Sequence, residues 1–369
     1  MCGYAPGEQP PPGARVVKLN TNENPFPPSP RVLQAIRNVE AELLRRYPSP
    51  TAEPFRHAAA KVLNIKPDQI IAGNGSDDIL AIAVMTFLGP GDLLATPEPT
   101  YSLYPVLAEL AEVKQATVPW EKDWGLPIDA LLATKAKAIF LANPNAPSGT
   151  FVSPQRVEEL ARKFNGLVLV DEAYVDFADD NCLPLVERRD NVLVCRTLSK
   201  AYSLAGLRFG FGVAQAPVIA EMNKARDSYP CDAISIVAAT AAIEDQEYAR
   251  EKWEQVRGER QRVSAELTQL GWNVVPSHAN FILAEVPDGR GREAYEGLKE
   301  QGILVRFFDT SGLRDKLRIT IGTSQENNAL LGGVKALNVA ERADERKERE
   351  RAPKAEKAEK LSEVTACPH

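Results

Sequence analysis

The sequence predicts an α/β protein: a large unit on a mostly parallel, seven-stranded sheet covered by helices, followed by a smaller α+β unit. Three observations carry this. Between residues 70 and 213, short apolar runs alternate with segments of helical period, the pattern of strands buried on both faces. Beyond Gly212 the alternation gives way to a long helical region and then to short strands around one further helix. At 369 residues and 44% hydrophobic content, the chain is long enough to bury two cores.

Taken in order, residues 1–48 read as an N-terminal arm and a first helix, packing with the small unit or a partner subunit. The arm, rich in Pro and Asn, carries Leu19-Asn20-Thr21-Asn22-Glu23-Asn24-Pro25 and is too broken for regular structure. Ser29 as N-cap and Pro30 at the first helical position open a helix. The spacing of Val32, Leu33, Ile36, Val39, Leu43 and Leu44 continues it until Tyr47-Pro48. A second helix covers 52–63. In the large unit, residues 49–250, strands are expected near Ile70-Ala72, Leu93-Thr96, Val113-Val118, Ala138-Ala142, Leu167-Val170, Val192-Cys195 and Phe209-Val213. Helices fall near Asp77-Leu88, Ser102-Leu110, Ile128-Leu132 and Pro154-Phe164, and a long helical region runs from about Ser235 to Leu270. The small unit, residues 251–340, has strands at Asn273-Val275, Asn280-Ala284, Ile303-Arg306 and Leu317-Ile321. Residues 341–369 are dominated by Glu, Lys, Arg and Ala without an apolar face, and a disordered or loosely helical tail is expected.

Composition narrows the function. A net charge of −6 argues against a nucleic-acid-binding surface. The five cysteines are scattered, and no Cys-x-x-Cys occurs, which fits a reduced cytoplasm. The three histidines cluster with neither the cysteines nor each other, so no metal site is expected. No apolar run is long enough to span a bilayer, and residues 1–13 lack the pattern of a secretion signal.

The chemistry gathers at predicted strand ends. Lys200, in Arg196-Thr-Leu-Ser-Lys-Ala-Tyr, sits on the loop leaving the strand at Val192, where open α/β sheets bind ligands. Ser199 and Arg208 beside it suit an anion such as a phosphate, and a lysine amine suits a Schiff base with a carbonyl cofactor. Pyridoxal phosphate meets both demands. Gly73-Asn74-Gly75-Ser76-Asp77 opens a helix whose first amides suit a phosphate, although a tight turn with an Asp cap explains the same residues. Tyr101 offers a ring to stack on a pyridine face, or simply a packing tyrosine. Asn143-Pro-Asn145-Ala-Pro-Ser-Gly149 presents amides on a rigid loop. Asp171 ends a buried strand and suits a protonated ring nitrogen. Tyr174 follows it and suits a ring oxygen.

These stretches, Asn-Pro-Asn-Ala-Pro-Ser-Gly, Asp-Glu-Ala-Tyr and Ser-Lys-Ala-Tyr-Ser-Leu-Ala-Gly-Leu-Arg, resemble the fold-type I, class II aminotransferases, and among them the histidinol-phosphate aminotransferase family. The resemblance runs from about Gly3 to Val339. It implies a homodimer with shared active sites and the cofactor pyridoxal 5′-phosphate, with Lys200 as its Schiff-base lysine. Asp171 would meet the ring nitrogen, Tyr174 the phenolic oxygen and Tyr101 the ring face. Ser76, Asp77, Ser199 and Arg208 would hold the phosphate, with Tyr47 reaching in from the other subunit. Arg306 and Arg318 would bind the substrate anion, although Arg306 also suits a surface ion pair with Asp309. The implied reaction moves an amino group between L-histidinol phosphate and 2-oxoglutarate. An aromatic-amino-acid aminotransferase, a threonine-phosphate decarboxylase and a non-catalytic cofactor-binding regulator are the alternatives. One departure stands out: Ala146 occupies the place where the family has an asparagine on the ring oxygen, and Asn145 or Asn143 is left to supply that bond.

Overall fold

The computed structural model describes residues 7–11 and 13–337. The charged segment 341–369 lies outside them. Seven strands form the large sheet: β1 (Ile70–Gly73), β2 (Leu93–Glu98), β3 (Lys114–Pro119), β4 (Ala138–Ala142), β5 (Leu167–Asp171), β6 (Val192–Thr197) and β7 (Gly210–Val213). Their order is β1-β7-β6-β5-β4-β2-β3. Only β7 runs against its neighbours β1 and β6, and the other pairs are parallel. The mostly parallel sheet expected from the apolar runs is therefore present.

Alternate residues of the central strands go to opposite faces, and both faces are buried. Ile139, Leu141, Val168, Val170, Val192 and Val194 pack under the helices Glu53–Leu63, Pro154–Lys163 and Ala233–Glu244. Phe140, Leu169, Leu193 and Cys195 pack under Ser76–Phe87, Leu103–Leu110 and Ala216–Ala225. Burial on both sides is why these strands read as unbroken apolar runs. At about 1.5–3 kcal/mol per fully buried aliphatic side chain, this double layer is the main stabilising element of the large unit.

The small unit is a four-stranded antiparallel sheet of β8 (Asn273–Val274), β9 (Phe281–Glu285), β10 (Arg306–Phe307) and β11 (Lys316–Thr320), ordered β10-β11-β9-β8. The arm joins it: Val17–Lys18 pairs in parallel with Ile303–Leu304, and Leu19 enters the small core. The long helix Gln246–Gln269 sends Trp253, Val256, Val263 and Leu267 into the same core. We propose Asp245, which caps both this helix and the preceding one, as the boundary between the units, in place of residue 250.

The first helix departs from expectation. Ser29 caps it as predicted, accepting from the Arg31 amide at 3.1 Å, but the helix ends at Arg37. The chain extends at Glu40 and turns again only over Ala41–Leu44. The helical spacing of Leu43 and Leu44 continues past the break, yet both side chains are exposed. The helix itself lies on Ala233–Glu244 of the large unit, so arm and first helix part company.

Candidate active site

The carboxyl ends of the parallel strands open on one edge of the large sheet, and the small sheet and arm close over them. The resulting cleft holds about 350 Å³. Ser76, Asp77, Tyr101, Asp171, Tyr174, Ser199, Lys200, Arg208, Arg306 and Arg318 all line it.

One end is built for an anion. Gly75 has φ +90°, and a Cβ there would stand 2.7 Å from Arg208 Nη2, so only glycine lets the chain turn into the helix at this point. Gly210 of β7 backs the turn so closely that a Cβ would come within 2.3 Å of the Ser76 nitrogen. The helix Ser76–Phe87 thus begins with its free amides at the cleft, where its dipole favours negative charge. Arg208 reaches the same place and pairs with Asp77 at 3.2 Å, and the Tyr101 hydroxyl donates to the other Asp77 oxygen at 3.2 Å. Ser199 Oγ is buried here with no hydrogen-bond partner among the described residues. A buried hydroxyl in that state is a site for a ligand acceptor.

At the floor, Asp171 ends β5, where backbone pairing fixes it beside Ala142 and Cys195. Burial pushes its carboxyl up to about 6; the Tyr104 hydroxyl, 2.9 Å away, and the Ala173 amide oppose the rise, and the charge of Asp77 adds to it. Its neighbour Glu172 has a different task. It accepts from Arg196 at 2.7 and 2.9 Å and from the Cys182 amide, a buried tie between β5, β6 and the following loop.

Lys200 lies across the cleft. Burial, and next the Arg318 charge, pull its amine down to about 8. Its Nζ donates to the Thr21 carbonyl at 3.1 Å and stands 5.9 Å from the centre of the Tyr174 ring. The arm holds this loop in return, since Asn24 Nδ2 donates to the Lys200 carbonyl at 2.9 Å. Asn22 Nδ2 donates to the Tyr174 hydroxyl at 3.0 Å. The motif Asn-Thr-Asn-Glu-Asn-Pro is therefore a wall of the site, with backbone and amides both in use.

The small sheet supplies the opposite end. Arg306 on β10 and Arg318 on β11 are direct partners in antiparallel register. Like charges facing each other across a ladder destabilise it. Phe308 lies beneath both guanidinium groups, 5.5 Å from each, and Phe281 is 5.4 Å from that of Arg318. Arg318 also donates to the Asn20 carbonyl at 3.0 Å. Asp309, the ion-pair partner considered for Arg306, is bridged by Arg292 and Arg314 at 2.7 and 2.8 Å.

Three residues named from the sequence, Asn143, Asn145 and Tyr47, do not line this cleft. The Asn145 amide donates to Ser148 Oγ at 2.8 Å and to the Pro99 carbonyl at 3.2 Å, and its oxygen accepts from Thr100. Asn143 is held as fully, against Val152 on both its nitrogen and its oxygen. Both amides brace the loop, while Ala146, without an amide, lines the cleft. Tyr47 is 80% exposed and stacks on Tyr229 with ring centres 4.4 Å apart. Sequence reasoning missed Tyr104, Asn22 and Phe308. For Tyr104 the available signal was its spacing of one helical turn from Tyr101.

A family model described as aminotransferase class I and II matches residues 14–334. The chain is 45% identical over 337 residues to histidinol-phosphate aminotransferase 1 of Trichormus variabilis, covering 91% of this chain and 96% of the relative. It is 46% identical over 352 residues to the histidinol-phosphate aminotransferase of Rhodopirellula baltica, covering 93% and 97%. Among solved structures, the histidinol-phosphate aminotransferase of Sinorhizobium meliloti in complex with pyridoxal-5′-phosphate superposes with a TM-score of 0.82 at 28% identity, covering 88% of this chain and 92% of that one. Among the described residues no helix is long and apolar enough to cross a membrane.

Proposed function

Because the chain belongs to the class I and II aminotransferases, we propose that it uses pyridoxal 5′-phosphate to move an amino group between L-histidinol phosphate and 2-oxoglutarate. The observation that carries this reading is the joining, in one cleft, of a buried lysine, a buried carboxylate and a cross-strand pair of arginines.

The residues fit the cofactor. The orphaned Ser199 hydroxyl, the Ser76 and Asp77 amides and Arg208 make a cradle for its phosphate, which a side chain at position 75 would fill. Asp171 would meet the ring nitrogen, Tyr101 the ring face and Tyr174 the phenolic oxygen. When bound, pyridoxal phosphate supplies an aldehyde that condenses with amines and a ring that takes up the electron pair left by a departing α-proton. Lys200 Nζ carries that proton. Held near 8, the amine has a neutral fraction at physiological pH and still returns a proton readily. An ionised Asp171 keeps the ring nitrogen protonated, which makes the ring a strong electron acceptor. Arm residues 20–23 and the Phe308 side of the small sheet cover the cleft and limit water.

Arg306 and Arg318 read the substrate. A phosphomonoester carries nearly two negative charges at neutral pH and matches two guanidiniums better than a neutral hydroxyl does. The same arginines accept the distal carboxylate of 2-oxoglutarate in the return half-reaction. Asn145 braces the loop and is not a cofactor ligand, since its amide is engaged elsewhere. The enzyme acts as a cytoplasmic homodimer in which Tyr47 serves the partner's site. The exposed Leu33, Leu43, Leu44, Tyr47 and Tyr229 support a second copy on this face. Steady-state comparison of histidinol phosphate, histidinol and phenylalanine tests the reading. Histidinol phosphate should lead by at least about 100-fold in kcat/KM, and equal values, or phenylalanine ahead, would replace it.

A further inference from the structure

Tyr104 stands behind the site and is fully buried, the bulkiest side chain to be so among the described residues. It follows Tyr101 by one turn at the start of the helix Leu103–Leu110. Its ring meets Tyr101 edge-on, with centres 5.6 Å apart and planes at 87°, and meets Phe140 of β4 with the same distance and angle. Its hydroxyl donates to Asp171 Oδ2 at 2.9 Å.

A phenylalanine would fill this space, and a buried phenol costs stability unless its hydroxyl is paired. Among the described residues, that hydroxyl bonds to the carboxylate on which the cofactor chemistry depends. We propose that Tyr104 is a positioning residue for the reaction: its hydroxyl fixes Asp171 as an ionised acceptor for the cofactor's ring nitrogen, while its ring sets the plane of Tyr101. The inference rests on the functional reading above.

Charge explains why Asp171 needs such a donor. Two carboxylates face it, Asp77 from the helix Ser76–Phe87 and Glu172 next in the chain, and Cys195 presents a thiol from β6. Burial and both carboxylates favour the protonated acid; the Tyr104 hydroxyl and the Ala173 amide oppose them. The Tyr104 proton stays in place, because burial and the Asp171 charge raise its own pKa well above the ordinary tyrosine range.

The test uses apoenzyme prepared as wild type, Tyr104→Phe, Asp171→Asn and the double variant, with pyridoxal phosphate binding followed by fluorescence from pH 5 to 9. Tyr104→Phe should bind the cofactor about 10- to 100-fold more weakly, as loss of one hydrogen bond to a charge requires. Its acid-side midpoint should move to higher pH, and kcat should fall more than KM changes. The double variant should be no worse than Asp171→Asn, because Tyr104 acts through that carboxylate. Should the phenylalanine variant fold poorly, 3-fluorotyrosine at position 104 preserves the shape while donating more strongly, and the midpoint should then move to lower pH. Midpoints unmoved in these variants, or losses that add in the double variant, overturn the inference alone. Wild-type apoenzyme that takes up no pyridoxal phosphate overturns the functional reading and this inference with it.

Discussion

Replacing Asp171 by asparagine should stabilise the apoprotein while removing its activity. The carboxyl is buried and titrates near 6, against an ordinary value of 3.8. Keeping it ionised in the folded state at pH 7.5 therefore costs on the order of 3 kcal/mol. The sign follows from proton counts. Between 3.8 and 6 the folded chain holds more protons at this site than the unfolded chain, so stability falls as pH rises through that window and stays lower above it. Asparagine carries no such charge cost and preserves the shape; its one oxygen still accepts from Tyr104, and the bond from the Ala173 amide to the other oxygen is lost, which offsets part of the gain. Urea unfolding of the two apoproteins should show Asp171→Asn ahead by up to about 3 kcal/mol at pH 7.5 and by about half that at pH 5. Turnover should fall at least about 100-fold, since a neutral amide cannot hold the ring nitrogen protonated. A variant less stable than wild type, or a gain that does not change with pH, would refute the reasoning.

Arg318→Leu should lower kcat/KM for histidinol phosphate about 10- to 100-fold and lower the weak reaction with histidinol far less; similar losses with both would mean that Arg318 does not read the anion. The same variant should raise the pKa of Lys200, because the Arg318 charge helps to depress it, and the pH dependence of aldehyde trapping by the apoenzyme reports that shift. Asn145→Ala should destabilise the protein by about 1–3 kcal/mol through the loop bonds it removes, yet leave the visible-absorbance titration of bound cofactor in place. A shifted titration would restore Asn145 to the ring oxygen.

Much of the fold was legible because burial on both faces leaves a local trace. Every residue of β4 is buried, so Ala-Ile-Phe-Leu-Ala could be read as a strand without knowing its neighbours. The break after Arg37 was not legible, since the helical spacing of Leu43 and Leu44 continues through it although both side chains stay exposed beyond it. In the site, residues that follow strand ends, such as Asp171 and Lys200, could be placed from topology alone. Asn145 could not, because side-chain direction inside a proline-braced loop depends on the loop's own hydrogen bonds. The facing of Arg306 and Arg318 depends on strand register, and the role of Tyr104 on contact between a helix and a distant strand.

Everything in this account turns on Lys200 as the residue that holds pyridoxal phosphate. Borohydride reduction of the purified, cofactor-loaded protein, followed by peptide mass analysis, should find the pyridoxyl mass on the peptide containing Ser199-Lys200. Lys200→Ala should give no label there and no turnover. A pyridoxyl label confined to any other lysine, with Lys200 unmodified, would contradict the account.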